Sequence, residues 1–314
     1  MDNTQESNKK QISIIIPVFN EQKTVFNVIQ NLKLELNKLN INYEIIIIND
    51  ASTDNTKNIL ENISDASPAG IPPSDGMIAK TIKIINHPYN KGNGAAIKTG
   101  ARAARYDWIL TFDADGQHSP DYISDLLKYT DNYDLISGER IGYQGPWIRQ
   151  PGKKIIHWLA RYLLGHKIND FNCGLRLIKR NEFLNFSHLY PDGFSCSTTS
   201  IFAFLKEKLN IKFVPVKINK RENGKSLVRP KEAFKYLMLI IRLIMLFSPL
   251  RIFLPTSFLF LILFLVLFIN DMFISKFNNI SDSTVLLLIT SILIFFFGLI
   301  ADQMATIRRE LNKK

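Results

Sequence analysis

The chain has 314 residues, is 46% hydrophobic and carries a formal net charge of +11 at pH 7. It can bury a full core and keep residues for a second region, and its basic balance favours an anionic partner: nucleic acid, an anionic membrane surface or a phosphorylated small molecule. Two cysteines, Cys173 and Cys196, exclude a disulfide framework, and the polar tail of residues 1–11 is unlike a signal peptide, so a reducing, cytosol-facing compartment is expected.

Short apolar runs alternate with helical patterns over the first half of the chain. Ile12–Ile16 and Glu44–Ile48 resemble buried parallel strands, and the residues between them carry apolar side chains at helical spacing. Further strands are predicted at Ile82–Ile85, Trp108–Phe112 and Leu135–Ser137, and further helices at Asn93–Arg105 and from Ser119 onward. The alternation predicts a doubly wound α/β domain, in which ligands bind beyond the carboxyl ends of the strands.

The segment Asp113–Gln117 directly follows one of these predicted strands. Two carboxylates and a carboxamide at alternate positions offer the oxygen ligands that a hard divalent cation prefers, so the segment predicts a site for Mg²⁺ or Mn²⁺. Asp-x-Asp also occurs by chance in surface loops, where Asp and Gly are ordinary turn residues. The interpretation therefore depends on the neighbouring motifs.

The C-terminal quarter predicts two membrane-spanning helices, at about residues 252–269 and 285–301. Each run is roughly 27 Å long as a helix, close to the thickness of a bilayer's hydrocarbon core. A pair of buried helices is the alternative, but a soluble domain rarely offers two such charge-free runs joined by so short a loop. Before them, residues 229–251 predict an amphipathic juxtamembrane helix that suits the membrane interface or packing on the preceding domain. Its apolar face is formed by Phe234, Leu237, Met238, Ile241, Ile244 and Met245.

The charges around these spans predict their orientation. The loop between them carries only Lys276 against Asp271 and Asp282, whereas basic residues crowd both outer ends: Lys231, Lys235, Arg242, Arg251, Arg308, Arg309, Lys313 and Lys314. By the positive-inside rule, the N-terminal domain and the basic tail of residues 302–314 are expected in the cytoplasm.

Four motifs together carry a family resemblance: Ile15–Glu21, Ile48–Asp54, Asn90–Gly94 and Asp113–Gln117. In this order and spacing they resemble the nucleotide-sugar-binding domain of the family 2 inverting glycosyltransferases of GT-A fold. More specifically, the chain resembles the polyprenyl-phosphate glycosyltransferases, a group that includes dolichol-phosphate mannose synthase. The resemblance covers about residues 12–251 and implies a GT-A catalytic domain over residues 12–228, ahead of the juxtamembrane helix and of two spans within residues 252–301.

The resemblance also implies which residues act on the sugar donor. The nucleoside site would contain Pro17, Phe19, Glu21, Asp50 and Asp113. The cation site would contain Asp113, Asp115 and Gln117, with Asp115 essential for catalysis. A cation at this place neutralises the charge that grows on the leaving nucleoside diphosphate.

On the acceptor side, the resemblance implies phosphate contacts from Arg140, Arg221, Lys225 and Ser226, and an active-site role for Asp170. Arginine forks match phosphate geometry, which makes these assignments chemically sensible. Surface solvation of Arg221 and a buried ion pair between Asp170 and Arg176 are the open alternatives. The chain departs from the family pattern at Leu227, where members often carry a basic residue, and at Arg149–Lys154.

The expected reaction is a metal-dependent, inverting transfer from a UDP- or GDP-linked sugar to undecaprenyl or dolichyl monophosphate at the cytoplasmic membrane face. The acceptor phosphate is mostly dianionic at neutral pH, so a strong general base is unnecessary, and Asp170 is assigned a positioning or electrostatic role. The alternatives are another acceptor (a glycolipid or polysaccharide), or an inactive membrane-anchored scaffold. A processive synthase is disfavoured because its Gln-x-x-Arg-Trp segment is missing, and no nucleic-acid partner is expected. The donor, the lipid length and the oligomeric state, a homo-oligomer included, stay open.

Overall fold

The structure is a computed structural model. It describes residues 9–65, 80–142, 158, 161–162, 168, 170–193, 195–219, 238, 241–243, 245–274 and 280–310. The chain divides into two compact units, which consist of residues 1–153 with 167–228 and of residues 154–166 with 229–314.

The first unit is built on one sheet flanked by helices. Its strands are β1 (Gln11–Val18), β2 (Asn42–Asn49), β3 (Lys80–Asn86), β4 (Trp108–Thr111), β5 (Leu135–Arg140), β6 (Arg176–Lys179) and β7 (Ile211–Val216). Its described helices are α1 (Val25–Lys38), α2 (Thr56–Asp65), α3 (Asn93–Ala103), α4 (Tyr122–Leu127), α5 (Arg180–Asn185) and α6 (Cys196–Lys206). The sheet order is β3-β2-β1-β4-β6-β5-β7.

The direction of the strands brings their carboxyl ends to one edge. Strands β1 to β4 pair in parallel, β6 runs antiparallel to both β4 and β5, and β5 pairs in parallel with β7. The carboxyl ends of β1, β2, β3, β4 and β5 therefore lie on the same side of the sheet, where ligands of α/β proteins bind. The predicted α/β fold is confirmed, and each strand predicted from the sequence is present.

The core explains why the central strands could be recognised. Ile14, Ile15 and Ile16 of β1 and the run Ile45–Ile48 of β2 are all fully buried. Because helices cover both faces of a parallel sheet, consecutive side chains are buried and the strand appears as a continuous apolar run. Helix α1 adds a stripe at helical spacing, formed by Val25, Val28, Ile29, Leu32 and Leu36.

The second unit contains two long apolar helices, α7 (Leu250–Ile274) and α8 (Asp282–Glu310). Within the segments Leu250–Phe273 and Asp282–Arg308, an 18-residue stretch reaches a mean hydropathy of 2.9 and 2.7, respectively, and is mostly unburied. Both helices are therefore long and apolar enough to cross a membrane. The two predicted C-terminal helices are confirmed. They hold each other through reciprocal hydrogen bonds, since the hydroxyl of Ser257 donates to the carbonyl of Ser291 (3.0 Å) and that of Ser291 donates to the carbonyl of Ser257 (2.9 Å).

A proline near the start of α7 replaces one helical hydrogen bond by a side-chain contact. Pro255 has no N–H, so the carbonyl of Arg251 four residues earlier cannot accept the usual helical hydrogen bond. The hydroxyl of Tyr162 donates to that carbonyl instead, at 2.7 Å, and Arg251 Nη1 donates back to the carbonyl of Tyr162. The Tyr162 ring also stacks on Trp158, with ring centroids 5.6 Å apart. This aromatic pair is therefore fastened to the first turn of α7.

The predicted juxtamembrane helix is described only in part. Met238, Ile241 and Met245, which belong to its predicted apolar face, are each more than 40% exposed. Phe234, Leu237 and Ile244 lie outside the described residues. An exposed apolar face suits a membrane interface, and this location stays a prediction.

Candidate active site at the carboxyl edge of the sheet

The turn after β1 is tied to the loops that follow β2 and β4. Asn20 adopts a left-handed φ of 56°, and its side-chain oxygen accepts the backbone N–H of Thr53 at 2.8 Å. The backbone N–H of Glu21 donates to Thr56 Oγ1 (3.0 Å), and the hydroxyl of Thr24 reaches across to the carbonyl of Ala114 (2.8 Å). Three of the predicted motifs are thus brought together.

The predicted nucleoside residues differ in what they expose. Pro17 and Glu21 are partly buried, and a carboxylate oxygen of Glu21 lies 3.0 Å from the Thr24 hydroxyl oxygen. Phe19 is 43% exposed, which leaves ring surface for a ligand. Nucleoside contacts by these residues remain predictions.

Asp50, at the end of β2, is only 3% exposed and binds within the protein. Its Oδ1 lies 2.7 Å from His87 Nδ1 and accepts the backbone N–H of Lys91 at 2.9 Å, while its Oδ2 accepts the N–H of Gly92 at 2.7 Å. His87 Nε2 contacts Thr99 Oγ1 at 3.0 Å. The structure therefore gives Asp50 an organising role in the turn before α3, and a direct nucleoside contact stays a prediction.

Two side chains of that turn, Tyr89 and Lys91, were assigned no role from the sequence. Gly92 has a φ of 99°, and a Cβ at this position would lie 2.5 Å from the carbonyl oxygen of Asp192, so only glycine fits. Next to it, Lys91 Nζ lies 5.4 Å from the centre of the Tyr89 ring, and Tyr89 is 64% exposed. Both residues follow β3 at the same sheet edge, which is the signal that could have found them.

The segment Asp113–Gln117 forms a tight loop with alternating exposure. Ala114 is buried, whereas Asp113, Asp115 and Gln117 are partly exposed. Asp115 Oδ1 accepts the backbone N–H of Gln117 at 3.1 Å around Gly116, whose φ is 74°. A further hydrogen bond fixes the end of the loop, because the carbonyl of Gln117 accepts the backbone N–H of Asn219 at 2.9 Å.

The donor atoms of this loop fit a hard divalent cation. Within the described ranges, no group of three or more His, Cys, Asp or Glu side chains forms a metal site by itself. Mg²⁺ sites that act on phosphates typically use one or two carboxylates, with phosphate oxygens and water completing the shell. Asp113 and Asp115 with the Gln117 carboxamide match that pattern. Gly174 leaves the space that the Asp113 carboxylate occupies, since a Cβ there would lie 1.8 Å from Asp113 Oδ2.

Arg140 and Asp170 form a bidentate ion pair beyond the end of β5. Arg140 Nε donates to Asp170 Oδ2 at 2.6 Å and Nη2 donates to Oδ1 at 2.8 Å. The backbone N–H groups of Arg140 and Asn172 donate to the same carboxylate at 3.2 and 3.0 Å. Burial alone raises the pKa of a carboxyl, but the hydrogen bonds and charge of Arg140 outweigh it and hold the pKa of Asp170 below 3.8.

The alternative prediction, an ion pair between Asp170 and Arg176, is wrong, because Asp170 pairs with Arg140. Arg176 is 1% exposed, and its described hydrogen bonds go to the carbonyls of Phe171, Cys173 and Ser197 and to the Ser200 hydroxyl. Arg176 therefore holds the segment that follows Asp170 against α6. Burial lowers the pKa of its guanidinium.

Three predicted acceptor residues, Arg221, Lys225 and Ser226, lie outside the described residues. Asn219, which bonds to the cation loop, is the last described residue before them. Of the acceptor set, the structure therefore places Arg140 alone, at the same sheet edge as Asp113 and Asp115.

Comparisons with known proteins agree on one family. The model of glycosyl transferase family 2 matches residues 13–203, and that of the GtrB C-terminal hairpin matches residues 248–307. A UDP-N-acetylglucosamine–dolichyl-phosphate N-acetylglucosaminyltransferase of Methanococcus voltae is 31% identical over 220 residues, which cover 66% of this chain and 85% of that protein. An undecaprenyl-phosphate 4-deoxy-4-formamido-L-arabinose transferase of Serratia proteamaculans is 30% identical over 194 residues, which cover 62% of this chain and only 54% of that protein.

Among solved structures, glucosyl-3-phosphoglycerate synthase from Mycobacterium tuberculosis, in complex with Mn²⁺ and UDP-glucose, is similar with a TM-score of 0.54. The match covers 75% of this chain and 78% of that one at 16% identity. At this identity the likeness concerns the fold alone.

Proposed function

The chain belongs to glycosyl transferase family 2 and has its GT-A fold, and we propose that it transfers a sugar from a nucleotide sugar to a polyprenyl monophosphate. Both curated relatives are named for transfer to such a lipid, dolichyl phosphate in one and undecaprenyl phosphate in the other. The observation that carries the proposal is that a loop suited to a cation and an arginine suited to a phosphate lie beyond parallel strand ends at one sheet edge. One serves the leaving group and the other the nucleophile.

On the donor side, Asp113, Asp115 and Gln117 would hold Mg²⁺ or Mn²⁺. A cation held there would supply positive charge against the nucleoside diphosphate that leaves when the bond between sugar C1 and the phosphate oxygen breaks. Phe19, beyond β1, offers an exposed ring to the nucleobase, and the turn held by Asp50 presents Lys91 beyond β3 at the same sheet edge. These residues bind and orient the donor.

On the acceptor side, Arg140 binds the lipid phosphate, and Asp170 fixes the guanidinium by two hydrogen bonds. An oxygen of the dianionic phosphate attacks C1 from the face opposite the leaving group, which inverts the anomeric centre. Because the nucleophile is already deprotonated at neutral pH, Asp170 need not accept a proton. Its paired, ionised state supports the positioning role.

The activity is tested by incubating the purified full chain with Mn²⁺ or Mg²⁺, labelled UDP- and GDP-sugars and a short polyprenyl phosphate. We expect lipid-linked sugar from at least one donor, and loss of product when EDTA removes the cation. UDP-N-acetylglucosamine is the first donor to test, because the methanogen relative is named for it. The matching nucleotide should also raise the thermal midpoint in the presence of Mn²⁺. Absence of product across all donors would contradict the proposal.

The lipid acceptor requires the catalytic domain at a membrane, and we place both termini in the cytoplasm because basic residues flank the outer ends of α7 and α8. Impermeant maleimide labelling of intact cells should modify Ile280→Cys, in the loop between the helices, and modify Glu310→Cys only after lysis. The native thiols of Cys173 and Cys196 should not react with the maleimide, since burial raises their pKa to about 12. Labelling of Glu310→Cys in intact cells with Ile280→Cys protected would reverse the orientation.

A further inference from the structure

We propose that His118 and Gly174 form a seat that positions the Asp113 carboxylate for the cation, with His118 as hydrogen-bond donor and Gly174 as the space that the carboxylate fills. The proposal rests on the proposed function, because it assigns a role to two residues around its cation site. Neither residue was assigned a role from the sequence.

Gly174 forms one wall of the seat. A Cβ at this position would lie 1.8, 2.5 and 2.9 Å from the three terminal atoms of the Asp113 carboxylate, so any other residue would displace the carboxylate. The glycine is itself fixed, because its carbonyl accepts the hydroxyl of Thr111 at 2.6 Å. Thr111 is the last residue of β4, two residues before Asp113. The wall is therefore attached to the strand that presents the carboxylate.

His118 is a polar neighbour of the same carboxylate. Its Nε2 lies 3.9 Å from Asp113 Oδ2, beyond hydrogen-bond length but within reach of a small rotation of the carboxylate. The residue is 6% exposed, bridges to the backbone of Ile218 and packs edge-on to Phe112, with ring centroids 6.5 Å apart. The imidazole therefore cannot move away easily, and the carboxylate is the group that adjusts.

The two ring nitrogens of His118 have different surroundings. Nδ1 has no partner among the described residues. The ring also borders a cavity of about 140 Å³, shared with Asn31 and Asn219, that has room for water. We assign a proton to Nε2, so that the ring donates to Asp113 once the carboxylate has rotated toward it.

A carboxylate that is already oriented loses less conformational freedom when it binds a cation. Groups that orient metal ligands in this way typically change metal affinity by about 10- to 100-fold when they are removed. We therefore expect the seat to affect cation affinity first and turnover as a consequence. A purely structural role for His118 would instead lower thermal stability and leave the affinity of the folded protein unchanged.

The test measures Mn²⁺ affinity in the presence of UDP by electron paramagnetic resonance, with thermal midpoints recorded for each full-length variant. His118→Met keeps the bulk and removes the donor, and we expect about 10- to 100-fold weaker Mn²⁺ binding. His118→Gln places an N–H near the position of Nε2 and should recover most of that loss. Gly174→Ala should weaken binding as His118→Met does, whereas Gly193→Ala, where an added Cβ meets nothing within 4 Å, should bind as wild type.

Unchanged Mn²⁺ affinity in His118→Met, or equal weakening in His118→Gln and His118→Met, would overturn the seat while leaving the sugar transfer intact. Failure of wild type itself to bind Mn²⁺ with UDP would instead count against the cation site, and hence against the seat and the metal dependence together. Kinetics of wild type, measured alongside with and without EDTA, keep these two failures apart.

Discussion

Asp115→Asn is expected to lower the kcat of sugar transfer by at least about a hundredfold while the protein stays folded. Asp115 is partly exposed, and its described hydrogen bond is from the N–H of Gln117 to Oδ1. An asparagine oxygen can accept that same bond, so the turn around Gly116 survives. The change removes one of the two negative charges, those of Asp113 and Asp115, that would hold the cation. That cation would lie against the leaving diphosphate, where negative charge grows in the transition state.

The measurement is steady-state transfer over a range of Mn²⁺ concentrations, with the thermal midpoint as the check on folding. Asp125→Asn is the matched control, since Asp125 lies on α4, pairs with Lys128 at the surface and is absent from the site. It should retain wild-type turnover. Normal turnover in Asp115→Asn would mean that the loop does not hold the catalytic cation.

Most of the sheet could be predicted because its central strands are buried on both faces. Continuous isoleucine runs such as Ile45–Ile48 are typical of that environment. Strand β6 was missed because it has four residues and begins with Arg176, a charged residue that sequence reasoning expects at the surface. Its guanidinium is satisfied by carbonyls up to 21 residues away, which no local pattern shows. Strand β7 was missed too, because Lys212 and Pro215 interrupt its apolar sequence.

The candidate site was predictable where it is local and unpredictable where it is not. The spacing of Asp113, Asp115 and Gln117 within one loop could be read directly. The pairing of His87 with Asp50 joins residues 37 positions apart, and that of Arg140 with Asp170 joins residues 30 apart. Such partners are set by strand order, which alternation of elements does not specify. The resemblance supplied Arg140 and Asp170 but could not supply their contact.

The second large effect is expected from breaking the ion pair between Arg140 and Asp170. Asp170→Asn is expected to lower kcat by about a hundredfold with little change in the KM of the nucleotide sugar, because a phosphate-binding group displaced by about 1 Å costs that much. Asparagine offers one acceptor oxygen where Asp170 offers two, and its amide group would face a donor of Arg140. The guanidinium then loses its fixed orientation toward the acceptor phosphate.

The same change should lower stability by about 3 kcal/mol at neutral pH, because it removes the negative charge that compensates the partly buried Arg140 guanidinium. The pKa of Asp170 is held below its ordinary value in the folded protein, so the stabilisation is complete above pH 4 and is lost as the pH falls through the folded-state pKa. The gap in thermal midpoint between wild type and Asp170→Asn should therefore narrow below pH 4. A gap that is constant down to pH 3 would mean that the pair does not stabilise the fold.

Asp134→Asn separates positioning from stability. Asp134 also pairs with a basic residue, Lys179, at 2.7 Å and accepts the backbone N–H of Asn210, but it precedes β5 and so lies at the opposite edge of the sheet. This control should lose stability and keep its kcat. If Asp134→Asn and Asp170→Asn lose turnover in proportion to their loss of stability, Asp170 only supports the fold. If turnover falls only in Asp170→Asn, and the KM of the lipid acceptor rises with it, the carboxylate aims Arg140 at the phosphate that attacks the sugar.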